Sequence, residues 1–245
     1  MLVVGTHHQI KSGTCVDVKI AGVPVPQSTS VKLLGVTFDQ FLSFNDDVSE
    51  VCRASAYHLK AFRHIRKFLD KPAANIVACS YIASRLDYCN AVIAGVSQHN
   101  LMRLQRIQNK AAKIALDIRG TTNSSYCLKE LHWLPVAQRI DYKIALTVFK
   151  TLQTNQPVYI RSMLSIHHPT RSLRSSDNGI LLNAPFCKTA TAARAFSLNA
   201  PRVLNSLPMS VRDCFSVSHS STSIETFKKL LKTFLFTTAF GTGIA

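Results

Sequence analysis

Residues 97–118 are the stretch that most constrains how this chain can fold. Apolar and small side chains recur along it at helical spacing, which predicts an α-helix with one buried face. Ser97 is the expected N-cap, since its hydroxyl can accept a hydrogen bond from a free backbone N–H of the first turn, and Gly120 is expected to end the helix. The residues predicted on the buried face are Leu104, Ile107, Gln108, Ala111, Ile114, Ala115 and Ile118.

Four cations follow the opposite side of the same predicted helix. Arg103, Arg106, Lys110 and Lys113 lie three, four and three residues apart, and we call them the basic stripe. Successive members are separated by one helical turn, on the order of 5 Å, a spacing that suits a phosphate backbone. A lysine and arginine face on a helix is most often simply solvated, so the stripe alone leaves both interpretations open.

The charge balance of the chain favours a polyanionic partner. The chain of 245 residues has 29 Lys and Arg against 13 Asp and Glu, a net charge of +16, and the excess is spread along its length. Such a surplus favours DNA, RNA or an anionic membrane surface. No apolar run is long enough to span a bilayer, and the first residues lack a signal-peptide pattern. Seven cysteines without a C-x-x-C pair indicate reduced thiols in an intracellular compartment, nuclear or cytoplasmic.

Residues 1–44 have the pattern of short β-strands. Ala21 and Gly22 are expected to form a turn, and the two prolines that follow restrict their strand to an edge. The run 31–39 is predicted as a strand with Gly35 inside it, which indicates a bulge or the close approach of another backbone. Because the chain starts abruptly on an apolar run, an upstream part of the sheet is expected to be missing.

Further helices are predicted on both sides of residues 97–118. Asn45 is the expected N-cap of the first, and Asp46 and Asp47 would lie in its first turn, where the helix dipole favours negative charge. Residues 121–125 are predicted as a polar loop and residues 155–188 as a loosely ordered segment, in which 171–176 would be a basic loop or weakly ordered arm. A helix is expected from Pro72 to Gly95, capped by Asp70 or Lys71 and with Ile76 and Cys79 in the core. Other helices are expected after Pro135, across 190–205 with a break near Pro201, and after a Thr222-x-x-Glu225 capping box.

Catalytic chemistry is not indicated by any motif in the chain. Asp46 and Asp47 form an adjacent carboxylate pair after Phe44 and Asn45, which superficially resembles the F-x-D-D of a polymerase palm. A helical pattern follows the pair, whereas palm carboxylates lie on a hairpin and hold two metal ions, so carboxylates at a helix start are favoured. Nucleophile, Walker and zinc-protease motifs are absent from the sequence. We therefore predict no catalytic residue, no metal and no cofactor.

Nine short motifs, spread over nearly the whole chain, occur in an order that resembles one family. They are 33–44 (LLGVTFDQFLSF), 63–66 (RHIR), 84–90 (SRLDYCN), 104–109 (LQRIQN), 131–135 (LHWLP), 171–176 (RSLRSS), 194–197 (RAFS), 205–208 (NSLP) and 227–232 (FKKLLK). The set resembles the C-terminal end of reverse transcriptases encoded by non-LTR (LINE-type) retrotransposons of the jockey and chicken-repeat group.

The resemblance implies a division of the chain into three parts. Residues 1–44 would be a palm remnant, with Leu34 and Gly35 in a primer-grip hairpin; residues 45–153 would be the helical thumb; and residues 154–245 would be a C-terminal extension that ends in an amphipathic helix. The expected fold class is mainly α, a helical thumb-like bundle preceded by a small antiparallel β remnant of a polymerase palm. The fingers and the catalytic aspartates would precede Met1.

The function that the resemblance implies is that of a fragment. The chain would derive from an RNA-directed DNA polymerase without its catalytic palm, and would at most bind the backbone of an RNA/DNA template–primer duplex through the basic stripe. Its other expected partner is the missing fingers–palm region within a longer protein, and no membrane partner is expected. Two alternatives remain open: a protein-interaction module whose apolar surface recruits a partner, or a truncated element product without a function.

Overall fold

The computed structural model describes residues 1–12, 18–167, 180–215 and 223–241. These residues are mainly helical and include two small antiparallel sheets. They belong to two compact units: the first comprises Met1–Cys89 and Val96–Arg119, and the second Asn90–Gly95 and Gly120–Ala245. Along the described ranges, no helix has both the length and the apolar character that a membrane span requires. The division into a palm remnant, a thumb and a C-terminal extension names segments of a polymerase, and it stays a prediction.

The first unit contains two β-hairpins in its N-terminal part. Strands β1 (Lys19–Ile20) and β2 (Val23–Pro24) pair antiparallel, and so do β3 (Ser30–Leu33) and β4 (Val36–Asp39). A short helix, α1 (His7–Lys11), was not predicted; Thr6 and Gln9 form its capping box. The prediction of a single strand over 31–39 is wrong. Leu34 and Gly35 form a two-residue turn with φ of 47° and 81°, the positive values that a tight hairpin turn requires.

Four helices complete the first unit: α2 (Asn45–Ile65), α3 (Lys71–Ala78), α4 (Ser84–Asp87) and α5 (Gln98–Ala115). A 3₁₀ turn (Arg66–Phe68) follows α2, and a π-helical turn (Cys79–Ala83) joins α3 to α4. Helix α2 packs against α5 and β4, and α3 packs against α5. Asp70, one of the two predicted caps, caps α3 by accepting a hydrogen bond from the backbone N–H of Ala73 at 2.8 Å, and Lys71, the other, is the first helical residue.

Several predicted details of these helices are wrong. Asn45 is the first helical residue of α2 rather than its cap, and Phe44 occupies the cap position with a left-handed φ of 58°. The predicted helix between Pro72 and Gly95 ends at Asp87. Its predicted core residues Ile76 and Cys79 are both exposed, Ile76 to 65%, because the π-helical turn and α4 change the face that points inward.

The second unit contains six helices within its described ranges. They are α6 (Ser124–Glu130), α7 (Val136–Thr154), α8 (Val158–Arg161), α9 (Phe196–Asn205), α10 (Met209–Arg212) and α11 (Ile224–Phe240). Three buried rings pack together: Phe149 of α7, Phe215 of the 3₁₀ turn Asp213–Phe215 that follows α10, and Phe227 of α11. The Phe149 and Phe227 rings stack at 4.1 Å between centroids, and the Phe215 ring meets both edge-on at 5.3 and 5.2 Å.

The helix pattern of the second unit was only partly predicted. Helix α6 begins within the expected polar loop, and Pro201 lies inside α9 rather than breaking it, since its ring is buried and only one backbone bond is forfeited. Ser223 caps α11 by accepting from the N–H of Thr226 at 3.2 Å. The predicted capping residue Thr222, the predicted basic loop or arm 171–176 and part of the predicted loosely ordered segment 155–188 lie outside the described residues.

Candidate nucleic-acid interface

Helix α5 presents the basic stripe, and its inner face is fixed in the first unit. Ser97 is the N-cap and accepts a hydrogen bond from the N–H of Asn100 at 3.3 Å, as predicted. Of the seven predicted face residues, six are buried and Ile118, which follows the helix, is half-buried. Asn100 is fully buried and donates from Nδ2 to Asn45 Oδ1 at 2.8 Å and to the carbonyl of Ser43 at 3.3 Å. These bonds fix the start of α5 against the start of α2.

The other end of α5 is held by Arg66, which follows α2. Its Nε donates to the carbonyls of Ile114 and Ala115 at 2.9 and 3.2 Å, and its Nη1 donates to the carbonyl of Leu69 at 2.7 Å. The last carbonyls of a helix lack intrahelical partners and carry partial negative charge, so a guanidinium suits them. The predicted end at Gly120 is wrong, since α5 ends at Ala115.

The structure separates the basic stripe into exposed and partly buried members. Arg106 and Lys110 are exposed one turn apart, whereas Arg103 and Lys113 are half-buried. Arg103 lies nearest the buried face, because residues advance about 100° each around a helix. Its guanidinium donates to Ser49 Oγ on α2 at 2.8 Å and to Asn100 Oδ1 at 3.3 Å. Arg103 therefore joins two helices, while Arg106 and Lys110 are the members that offer their charge to solvent.

The pair that the resemblance assigns to a primer grip occupies the tip of the β3–β4 hairpin. Leu34 is 91% exposed, and its carbonyl accepts a hydrogen bond from the hydroxyl of Tyr88 at 2.6 Å. The Tyr88 ring also lies over Gly35, where a Cβ would stand 3.3 Å from Cε1 of the ring. A side chain 54 residues away along the chain thus holds the hairpin tip.

The carboxylates near this hairpin are used to organise the backbone. Burial of Asp39 raises its pKa, but hydrogen bonds from the backbone of Ser43, Phe44 and Phe41 and from the Ser43 hydroxyl outweigh that effect, so the pKa is lowered. These bonds, at 3.0, 2.7 and 3.0 Å for the three backbone donors, hold the loop before α2 and take the place of the predicted Asn45 cap.

Asp46 and Asp47 lie in the first turn of α2, as predicted, and not on a hairpin. Asp47 is 8% exposed, and its Oδ1 accepts from the backbone N–H of Thr37 on β4 at 2.9 Å. Burial raises the pKa of Asp47, and the Thr37 N–H opposes that shift. In the part of the chain that the structure describes, no cluster of three or more His, Cys, Asp or Glu side chains could hold a metal ion.

Several residues of the quoted motifs have structural contacts that the sequence did not reveal. Besides Arg66 and Tyr88, Asn205 holds Leu182 through two bonds, donating to its carbonyl at 2.8 Å and accepting from its N–H at 2.9 Å. Arg194 donates to the carbonyl of Ala94 at 3.2 Å. Each contact joins positions that are far apart in the chain, so no local spacing could have predicted it.

Family models, curated proteins and solved structures were compared with the chain, and none of the three comparisons found a match.

Proposed function

We propose that the chain is the C-terminal part of a non-LTR retrotransposon reverse transcriptase and binds a template–primer duplex by its phosphate backbone. The observation that carries the proposal is the exposure of Arg106 and Lys110, one turn apart on a helix fixed at both ends. A rigid helix loses little conformational freedom when phosphates bind to its outer cations. Backbone contacts of this kind position a duplex without selecting its sequence.

The charge stoichiometry supports the same proposal. With 29 basic and 13 acidic residues, the chain has 16 more cations than carboxylates. Asp39 and Asp47 are already engaged by backbone N–H groups. Glu50 and Glu225 are paired with Lys32 and Lys228. A polyanion would therefore meet positive charge that the protein itself leaves uncompensated.

The finer assignments are also proposals. The β3–β4 hairpin, with Leu34 at its exposed tip and Tyr88 behind Gly35, would be the remnant of the palm and its primer grip. Helices α2 and α5 would be the thumb, with Arg103 joining them and Lys113 at the edge of the duplex contact. Two features support these assignments: the quoted motifs follow the order of the family, and the structure places a tight hairpin before long helices.

A salt titration tests the duplex contact. A fluorescent RNA–DNA hybrid would be titrated with the full chain at several salt concentrations, beside the double variant Arg106→Ala/Lys110→Ala. Each phosphate contact contributes about 0.9 to the slope of log affinity against log salt, so loss of both cations should reduce the slope by about 1.8. The matched control is Lys143→Ala/Lys150→Ala, which removes two exposed lysines from α7. An equal loss of slope in both variants would contradict the proposal.

The exposed tip of the hairpin favours a second candidate function, protein interaction. Leu33 is 57% exposed and Leu34 91% exposed on adjacent positions, which is unusual for leucines in a folded unit. An association that is insensitive to salt and is lost in Leu34→Ser would favour this function. Poor soluble yield of the wild-type chain would instead favour a truncated product without a function.

A further inference from the structure

A cluster of three aromatic rings, two exposed tyrosines and one half-buried histidine, lies on elements of the first unit other than α5. It consists of Tyr57 and His58 of α2 and Tyr81 of the π-helical turn, and we call it the tyrosine cluster. The Tyr57 and His58 rings meet edge-on at 5.4 Å between centroids, and the His58 and Tyr81 rings lie 5.8 Å apart with an angle of 30° between their planes. The three rings therefore form one continuous surface across two elements.

The two tyrosines of this cluster are not part of the core. Tyr57 is 72% exposed and Tyr81 57% exposed. The π-helical turn determines where Tyr81 points, since its wider turn directs Ile82 and Ala83 into the core at 1% and 7% exposure while Tyr81 stays outside. Single π-helical turns are rare in helices and occur frequently at functional sites. Packing within the unit thus does not explain why the two tyrosine rings are presented to solvent.

Cations border the tyrosine cluster. On α2, Arg53 lies four residues before Tyr57 and Lys60 three residues after it, so both are neighbours of Tyr57 on the helix surface. Arg85 lies four residues after Tyr81, and all three cations are exposed. The carboxylate one turn before Arg53 belongs to Glu50, which Lys32 binds. The surface around the rings is therefore aromatic in the middle and positive at its edges.

We propose that the tyrosine cluster binds unpaired nucleotides of single-stranded RNA or DNA. Bases would stack on the rings of Tyr57 and Tyr81, and the phosphates would lie against the bordering cations, the combination by which proteins hold single strands without sequence preference. The positive border excludes a basic partner and favours an anionic one. This site differs from the duplex contact on α5 in its residues and in the form of nucleic acid, so it does not depend on that contact.

The test compares strands with and without bases. A labelled oligo(dT), an oligo(U) and an abasic DNA strand of equal length would be titrated with the full chain, with Tyr57→Ala/Tyr81→Ala and with Tyr57→Phe/Tyr81→Phe. We expect the alanine variant to lose at least about fivefold in affinity per ring for the strands that carry bases, and little for the abasic strand. The phenylalanine variant, which keeps the rings, should bind within about twofold of wild type. The salt slope should not change in either variant, since no cation is removed.

Control measurements separate a loss of base stacking from unfolding and from loss of the duplex contact on α5. Both tyrosines are exposed, so the far-UV circular dichroism melting curves of the variants should match that of wild type. The variant Arg106→Ala/Lys110→Ala should keep single-strand binding even though its duplex contact is removed, which separates failure of one site from failure of the other. Equal binding of the abasic strand, or unchanged affinity of the alanine variant, would overturn the proposal. A complete lack of oligonucleotide binding by wild-type protein would also overturn it and leave the rings to a protein contact.

Discussion

Arg66→Ala should destabilise the first unit. Its effect should exceed that of replacing any other exposed or half-buried cation of α2 or of the turn that follows α2. The Arg66 guanidinium donates to three backbone carbonyls, two of them in the last turn of α5. A hydrogen bond to a charged group contributes roughly 1.5–3 kcal/mol when buried, and Arg66 is only half-buried, so we expect a loss of about 2–3 kcal/mol for the three together. The variant Arg66→Lys would keep a positive charge near the end of α5, which contributes roughly 0.3–1 kcal/mol. Its ammonium group would not reproduce the planar arrangement of donors that a guanidinium presents to the carbonyls.

The assay is urea unfolding followed by far-UV circular dichroism, with hydrogen exchange at the last turn of α5 as a local measure. Arg63→Ala is the matched control, since it removes an exposed arginine of the same charge from the same region, and it should change the free energy of unfolding by less than about 0.5 kcal/mol. An Arg66→Ala variant as stable as the control, or an Arg66→Lys variant equal to wild type, would refute the inference that the guanidinium caps α5.

Three further predictions compare substitutions in the two units. Gly22 and Gly35 both have φ of 81°, so Gly22→Ala should lower the free energy of unfolding by about 1–2 kcal/mol. Gly35→Ala should lower it further, because only its added Cβ would contact a tyrosine ring, and urea unfolding of the two variants measures the difference. Phe149→Ala should cost about 3–5 kcal/mol, whereas Phe186→Ala, at a side chain that is 88% exposed, should change the melting temperature little. Folding lowers the pKa of Asp39, so its carboxylate stabilises the fold when the pH is above the ordinary pKa of 3.8. That stabilisation is lost as the pH falls through the lowered pKa, so the unfolding curves of wild type and Asp39→Asn should converge with acidification.

The sequence predicted best what depends on local periodicity. The buried face and N-cap of α5 are confirmed, and one of the two predicted caps of α3, Asp70, is the cap, because residues within a few positions of one another determine these features. The same holds for the first turn of α2, where Asp46 and Asp47 lie as expected. These features depend on the 3.6-residue period and on unpaired backbone groups, both of which are visible in one stretch of sequence.

The sequence could not predict contacts between positions that are distant in the chain. Arg66 lies 48 residues from the carbonyl it caps, and the hydroxyl of Tyr88 lies 54 residues from the carbonyl of Leu34. The same limit applies to the candidate site. Helical spacing predicted a row of four cations, but only the position of α2 determines that Arg103 bonds to Ser49 while Arg106 and Lys110 stay exposed.

Lysine acetylation footprinting tests the central claim, that α5 contacts a nucleic-acid duplex, most directly. The full chain would be acetylated briefly with and without an RNA–DNA hybrid at low and at high salt, and modification would be quantified by mass spectrometry. We predict that the hybrid protects Lys110 at low salt, that protection is lost at high salt, and that Lys143 and Lys150 are modified equally throughout. Equal modification of Lys110 with and without a hybrid that is shown to be bound would contradict the claim.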